Sequence, residues 1–290
     1  MRYYSDLASI KRIRIIASKL VESFFSGNYR SVFRGPGIEF DEFRSYMYGD
    51  DVRLIDWNVT SRTGFPYVKV FREERELSLF FLLDLSASMI YGSGERSKIE
   101  VAGLTFAILT LSAAINNDKF GALFFTDRIE KWVPMSKGKK HALSLIDDIF
   151  WVEPQGRGSD LKMAVKSASQ LLKKRSICVI ISDFKTDNYW HELSILSKKH
   201  DVIAVKVWDD NDISFPTVGL IRLQDPERGE EMYAYGLSEE FRNSYRRFWM
   251  AKHRKWKRNC FVRGVNILEI NTSMDVGAEL FKFFRRRKRA

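Results

Sequence analysis

The stretch LSLFFLLDLSAS, from Leu77 to Ser88, decides how the chain folds. Its first seven residues form a nearly continuous apolar run that ends at Asp84, the pattern of a strand covered on both faces. A polar, Gly-containing loop follows. Ser97 then opens a helix with Glu100 in capping-box position, and Ile99, Val101, Leu104, Ile108, Leu111 and Ile115 make that helix largely apolar. Beyond it, Phe120 to Phe125 and Ile129 to Pro134 flank a turn at Thr126 to Arg128 and read as a hairpin. Helices are predicted from Lys139 to Phe150 and, after the break at 153–158 (EPQGRG), from Ser159 to about Lys174. Ile177 to Ile181 (ICVII) and Val202 to Trp208 are strands around a helix at Trp190 to Lys199. A strand at Val265 to Ile270 and a helix at Val276 to Phe284 complete the series. This alternation predicts an α/β fold, a doubly wound, mostly parallel sheet with helices on both faces, over residues 76–290. Residues 1–75 read as a helix near Leu7 to Phe25 and a Gly-punctuated segment with short strands at most. They are too few for a large core of their own and are expected to pack on the main domain as an appendage.

Composition bounds the function. With 290 residues, 45% of them hydrophobic and only six prolines, the chain is neither disordered nor fibrous. The net charge of +11 keeps an anionic partner open. The excess is concentrated in Arg242 to Arg263 and in the tail from Lys282 to Arg289. Cys178 and Cys260 stand far apart with no C-x-x-C pair, which excludes a disulfide framework and a thiolate zinc site. Charges at Arg2, Asp6, Lys11, Arg12, Arg14 and Lys19 exclude a signal peptide in the first twenty residues. The longest apolar stretch, Gly103 to Ile115, is too short to span a bilayer. A protein without a transmembrane segment, in the reducing cytoplasm, is therefore expected.

In open α/β sheets, ligands sit at the carboxyl ends of strands. Asp84-Leu85-Ser86-Ala87-Ser88 places three oxygen-bearing side chains at i, i+2 and i+4, which point one way if the loop stays extended. Ser159 follows Gly158 at a helix entrance, and Asp183 ends the run ICVIIS. One or two carboxylates with several hydroxyls form a hard-oxygen set suited to Mg²⁺ or Mn²⁺, with a position left for a partner's oxygen. The alternative for D-x-S-x-S alone is turn and helix-cap chemistry.

Together, D-x-S-x-S, Gly156 to Leu161 (GRGSDL) and Ile181 to Phe184 (ISDF) resemble the three parts of the metal-ion-dependent adhesion site of von Willebrand factor A domains. Upstream, Tyr29 to Gly37 (YRSVFRGPG), Glu39 to Arg44 (EFDEFR), Tyr48 to Arg53 (YGDDVR), Ile55 to Thr60 (IDWNVT), Ser61-Arg62 and Phe71 to Glu76 (FREERE) closely resemble the bacterial domain-of-unknown-function 58 family. The resemblance runs from about Tyr29 to the end. It implies a von Willebrand factor A-like fold and a MoxR-type AAA+ ATPase as partner. It also implies Asp84, Ser86 and Ser88 as first-loop metal ligands, Ser159 as the second-loop hydroxyl and Asp183 as the third-loop carboxylate. The family usually has Thr at the Ser159 position; Ser keeps the hydroxyl and loses the β-branch that holds χ1. Many relatives carry transmembrane helices, and none is read here.

Enzyme signatures are mostly absent, with no G-x-x-x-x-G-K-[ST] and no H-E-x-x-H among His141, His191, His200 and His253. Ser86 has no evident base. A non-catalytic, metal-dependent protein-binding adapter is the expectation, set against two alternatives. One is nucleic-acid binding through the basic face of a helix at Ser238 to Asn259, whose aromatic side (Phe241, Tyr245, Phe248, Trp249, Trp256) is read as core. The tail residues Arg285, Arg286 and Arg287 are a further candidate anion contact. The other is a metal-dependent hydrolase using Asp50, Asp51 and Asp56, a block that also reads as turns and ion pairs with Arg44, Arg53 and Arg62. Trp57 is read as an anchor into the main domain.

Overall fold

The computed structural model describes residues 7–21, 39–72, 77–227 and 229–287. The elements before the main sheet are α1 (Leu7–Leu20), β1 (Glu39–Ser45), α2 (Trp57–Thr63) and β2 (Tyr67–Arg72). Then come β3 (Ser78–Asp84), α3 (Lys98–Ile115), β4 (Lys119–Phe125), β5 (Ile129–Ser136), α4 (Lys139–Trp151) and α5 (Leu161–Leu171). The series continues with β6 (Ile177–Ser182), α6 (Trp190–Lys199), β7 (Asp201–Trp208), β8 (Leu220–Gln224) and β9 (Glu231–Tyr235). It closes with α7 (Glu239–Val262), β10 (Asn266–Asn271) and α8 (Val276–Arg287).

Six strands form the main sheet in the order β10-β7-β6-β3-β4-β5, parallel throughout except for the antiparallel β4–β5 hairpin. The apolar run of β3 is buried on both sides, as its continuity predicts. Leu79, Phe81 and Leu83 join one core with α1, α3, α4 and α8, while Phe80 and Leu82 join a second core with α5, α6 and α7. The chain leaves β3 toward α3 on the first face and leaves β6 toward α6 on the second. These neighbouring strands thus form the switch point at which open α/β sheets bind ligands.

Ser97 caps α3 as read, with both halves of the capping box present. This helix starts earlier than the apolar run at Gly103, and over Lys98–Ile115 it is long and apolar enough to cross a membrane, with 83% of it buried inside the fold. Its hydropathy therefore serves the first core.

Ile13 and Ala17 of α1, and Val21 just beyond it, belong to the first core, so the amino-terminal helix packs on the main domain. The β1–β2 ribbon is a separate two-stranded sheet. Trp57 does not anchor it: 69% of that side chain is exposed, because it stands in the first turn of a seven-residue helix that packs on β2. The expected helix extension to Phe25, the Tyr29–Gly37 motif, Glu73 to Glu76 of FREERE and residues 288–290 of the tail lie outside the described residues.

Candidate metal centre

Asp84 ends β3 and is fully buried. Strand register chooses its neighbours: Leu83 pairs with Ile181 of β6, so the next residues, Asp84 and Ser182, stand side by side. The Ser182 hydroxyl donates to Asp84 Oδ2 at 2.7 Å, and the Ser159 hydroxyl donates to the same oxygen at 2.9 Å. The Ser86 amide donates to Oδ1 at 2.9 Å. The loop does not stay extended, since Ala87–Ile90 coil into a 3₁₀ turn, yet the Ser86 and Ser88 hydroxyls remain 3.1 Å apart.

The second loop is held against the first by the Ala87 amide, which donates to the Arg157 carbonyl at 2.9 Å. Asp160, not Ser159, caps α5, accepting from the Met163 amide at 2.9 Å. That division of labour leaves Ser159 free to face Asp84. Gly156 is required for the close approach, because a Cβ there would lie 2.2 Å from both Thr126 Oγ1 and Asp127 Oδ1.

The third loop turns sharply at Phe184, whose φ of 53° is left-handed and costly for a bulky side chain. Asp183, 2% exposed, is met there by a residue the motifs do not include. Lys98 Nζ lies 2.7 Å from Asp183 Oδ2 and 3.5 Å from Asp212 Oδ2. Lys185 Nζ lies 2.6 Å from Asp212 Oδ1. Burial works against the Lys98 charge, but Asp183 and then Asp212 outweigh it and hold the ammonium above its ordinary range. Likewise burial works to raise the Asp183 carboxyl, and Lys98 followed by Lys185 hold it below the usual range.

Asp84 is in the opposite condition. Burial, and then the Asp183 charge, push its carboxyl up, against the hydrogen bonds from Ser182 and Ser86. No described cation pairs with it. A fully buried carboxylate that leans only on hydroxyls and an amide lacks the countercharge that normally offsets desolvation.

A last carboxylate arrives from a segment in which the sequence patterns pointed to no site. The β8–β9 hairpin is a separate two-stranded sheet, and its tip carries Glu227. Burial pushes that carboxyl up, and the Ser88 hydroxyl works to lower it. Its Oε2 lies 3.9 Å from where a Cβ on Gly158 would stand.

The donor set fits a hard divalent ion. Among the described residues no three acidic, His or Cys side chains converge on one point, so the oxygens would be mainly hydroxyls around Asp84. With Asp183 neutralised by Lys98, little negative charge would offset such an ion, which keeps it a strong Lewis acid toward an incoming carboxylate.

Other candidate residues lie apart. Asp50 accepts from Arg44 and the Met47 amide, Asp51 pairs with Arg53, and Asp56 caps α2 and pairs with Lys69 at 2.9 Å. Each carboxylate thus closes a local turn or ion pair. In α7 only Trp256 of the five aromatics is buried. The helix is 24 residues and about 36 Å long. Arg285 and Arg286 are exposed, and Arg287 is ion-paired with Asp201.

The sheet order and the three converging loops define a von Willebrand factor A-like domain. BatB from Bacteroides thetaiotaomicron superposes with a TM-score of 0.50 at 15% identity, covering 74% of this chain and 100% of that one. The SpRpn10 VWA domain covers 71% of this chain and 94% of its own length at 12% identity and a TM-score of 0.39. In sequence, an uncharacterized protein of Mycobacterium tuberculosis is 29% identical over 285 residues, 97% of this chain and 90% of the relative. An uncharacterized protein of Mycobacterium avium is 28% identical over 160 residues, 54% of this chain and 94% of the relative. The family model described as "Protein of unknown function DUF58" matches residues 42–255. The chain belongs to that family.

Proposed function

We propose that this protein is a metal-dependent protein-binding module rather than a catalyst. The cation is Mg²⁺ or Mn²⁺, held by Asp84, Ser86, Ser88 and Ser159 with Asp183 behind them, and it takes a carboxylate from a protein partner. Ser182 joins Ser159 in orienting Asp84. The observation that carries this reading is the fully buried Asp84 carboxylate, ringed by hydroxyls and without a described cationic partner. Family resemblance supports a MoxR-type AAA+ ATPase as the partner, with the pair assisting assembly or maturation of other proteins in the cytoplasm.

The test is the affinity of the purified protein for a MoxR-type ATPase encoded in the same genome, measured in Mg²⁺ and in EDTA. Wild type should bind only in Mg²⁺, and Asp84→Ala should lose binding while its circular dichroism is unchanged. Equal affinity in EDTA, or in the variant, would sink the proposal. A second reading rests on the exposed Arg246, Arg247, Arg254, Lys255 and Arg258 of α7. Nucleic-acid binding there would fall steeply with salt and ignore Asp84→Ala.

A further inference from the structure

The β8–β9 hairpin is an odd element for a stable fold. Among the described residues, its two five-residue strands pair only with each other. Isolated two-stranded hairpins are marginal in water unless they pack on something. Leu220, Met232, Tyr233 and Tyr235 are all more than half exposed, and of the ten strand residues only Ala234 is buried. The base is pinned, with Arg242 donating to the Gly236 carbonyl at 2.6 Å. The tip is internally tight: the Gly229 amide donates to the Asp225 carbonyl and the Glu227 amide to the Asp225 carboxylate, both at 2.8 Å. Between pinned base and tight tip, little but its own pairing holds the ribbon down.

Yet the tip reaches the centre described above. Glu227 is half-buried, its Oε2 3.9 Å from where a Cβ on Gly158 of the second loop would stand, and the Ser88 hydroxyl of the first loop acts on its carboxyl. It stands within electrostatic range of Asp183 and Asp84, and it has no ion pair with a described residue. A partly desolvated carboxylate with no described cation of its own gains little from sitting there. The same position becomes favourable once a divalent ion is bound beside Asp84 and the loop hydroxyls. Glu227 and a partner's carboxylate would then compete for the same open position on that ion.

We infer that Glu227 is the resident carboxylate of this centre: the hairpin docks on the bound cation through it, and an acidic partner must displace the hairpin to bind. The inference rests on the cation reading and adds to it a competitor built into the chain. The hairpin is thereby a latch that the metal closes and the partner opens.

Two measurements on the full-length protein test it. Mn²⁺ binding is followed by electron paramagnetic resonance, and amide hydrogen exchange of residues 220–235 is followed with and without Mg²⁺. In wild type, Mg²⁺ should slow exchange across the hairpin. In Glu227→Gln it should not, and Mn²⁺ should bind several-fold more weakly. Glu227→Asp, which keeps the charge and loses about 1.5 Å of reach, should behave like Glu227→Gln. Asp84→Ala should bind no Mn²⁺. If Mn²⁺ binding depends on Asp84 while hairpin exchange ignores Mg²⁺ and Glu227→Gln binds Mn²⁺ like wild type, the latch is overturned and the metal centre stands. If wild type binds no Mn²⁺, both fall together.

Discussion

Lys98 carries its charge into a place where a lone charge costs several kcal/mol, 1% exposed beneath Asp183 and Asp212. Removing it should hurt more through the anion left unpaired than through the missing attraction itself. Lys98→Met strands Asp183 as a buried anion and should destabilise the protein by about 3–5 kcal/mol in urea unfolding. Adding Asp183→Asn should recover part of that loss. His200 gives a second prediction, on pH. Its Nδ1 accepts from the Ser176 amide at 3.3 Å, and burial, then Lys199 and Arg175, hold its pKa below the ordinary 6.5. A folded pKa below the unfolded one means that the unfolded chain binds the proton first. Stability present above pH 6.5 is therefore lost as pH falls through the folded value. His200→Gln should show a smaller decline in melting temperature between pH 7.5 and pH 5 than wild type; parallel curves would assign the decline to other groups. Of the residues at the centre, Asp84, Ser86, Ser88, Ser159 and Asp183 were legible because strand ends and short motifs point to them. Ser182 lay inside one of those motifs and was betrayed only by register. Lys98 gave no signal, since nothing in a capping box says how far its first lysine reaches.

At the scale of elements, α3 shows how local rules and burial cooperate. Ser97 and Glu100 close its amino terminus reciprocally, and the fifteen buried residues that follow need the axis held in place. Ser97→Ala should cost about 1 kcal/mol in denaturant unfolding, the usual worth of such a cap. A loss near zero would mean that packing alone sets the start of the helix. Long apolar elements were readable for the same reason: β3, β6 and α3 each repeat one instruction over many residues. The β8–β9 hairpin was not, because LIRLQ and EMYAY are five residues each, mostly exposed, and alternate too briefly to stand out. The turn signal Asp225-Pro226 followed by Gly229 was present and could have found it. The β1–β2 ribbon has a different character. It leaves Tyr48, Trp57 and Phe65 almost wholly or largely exposed, so aromatic content predicted burial where the fold provides a surface.

For the whole molecule, alternation of strand and helix was enough to predict the doubly wound sheet, and the order of its strands explains where the centre lies. What periodicity could not supply was distance. Asp84 and Ser159 are 75 positions apart, and Asp84 and Ser182 are 98 apart. Contacts of that span form only after the intervening chain has been organised. Here the constraint is severe, because β6 sits between β3 and β7 in the middle of the sheet although it is made late. A chain emerging from the ribosome can pair β3 with β4 and fold α3 over them, but Asp84 then faces a missing neighbour until Ser182 has been synthesised. Nascent copies consequently lack the Ser182 contact to Asp84, and an assembled candidate centre marks a chain made at least through β6.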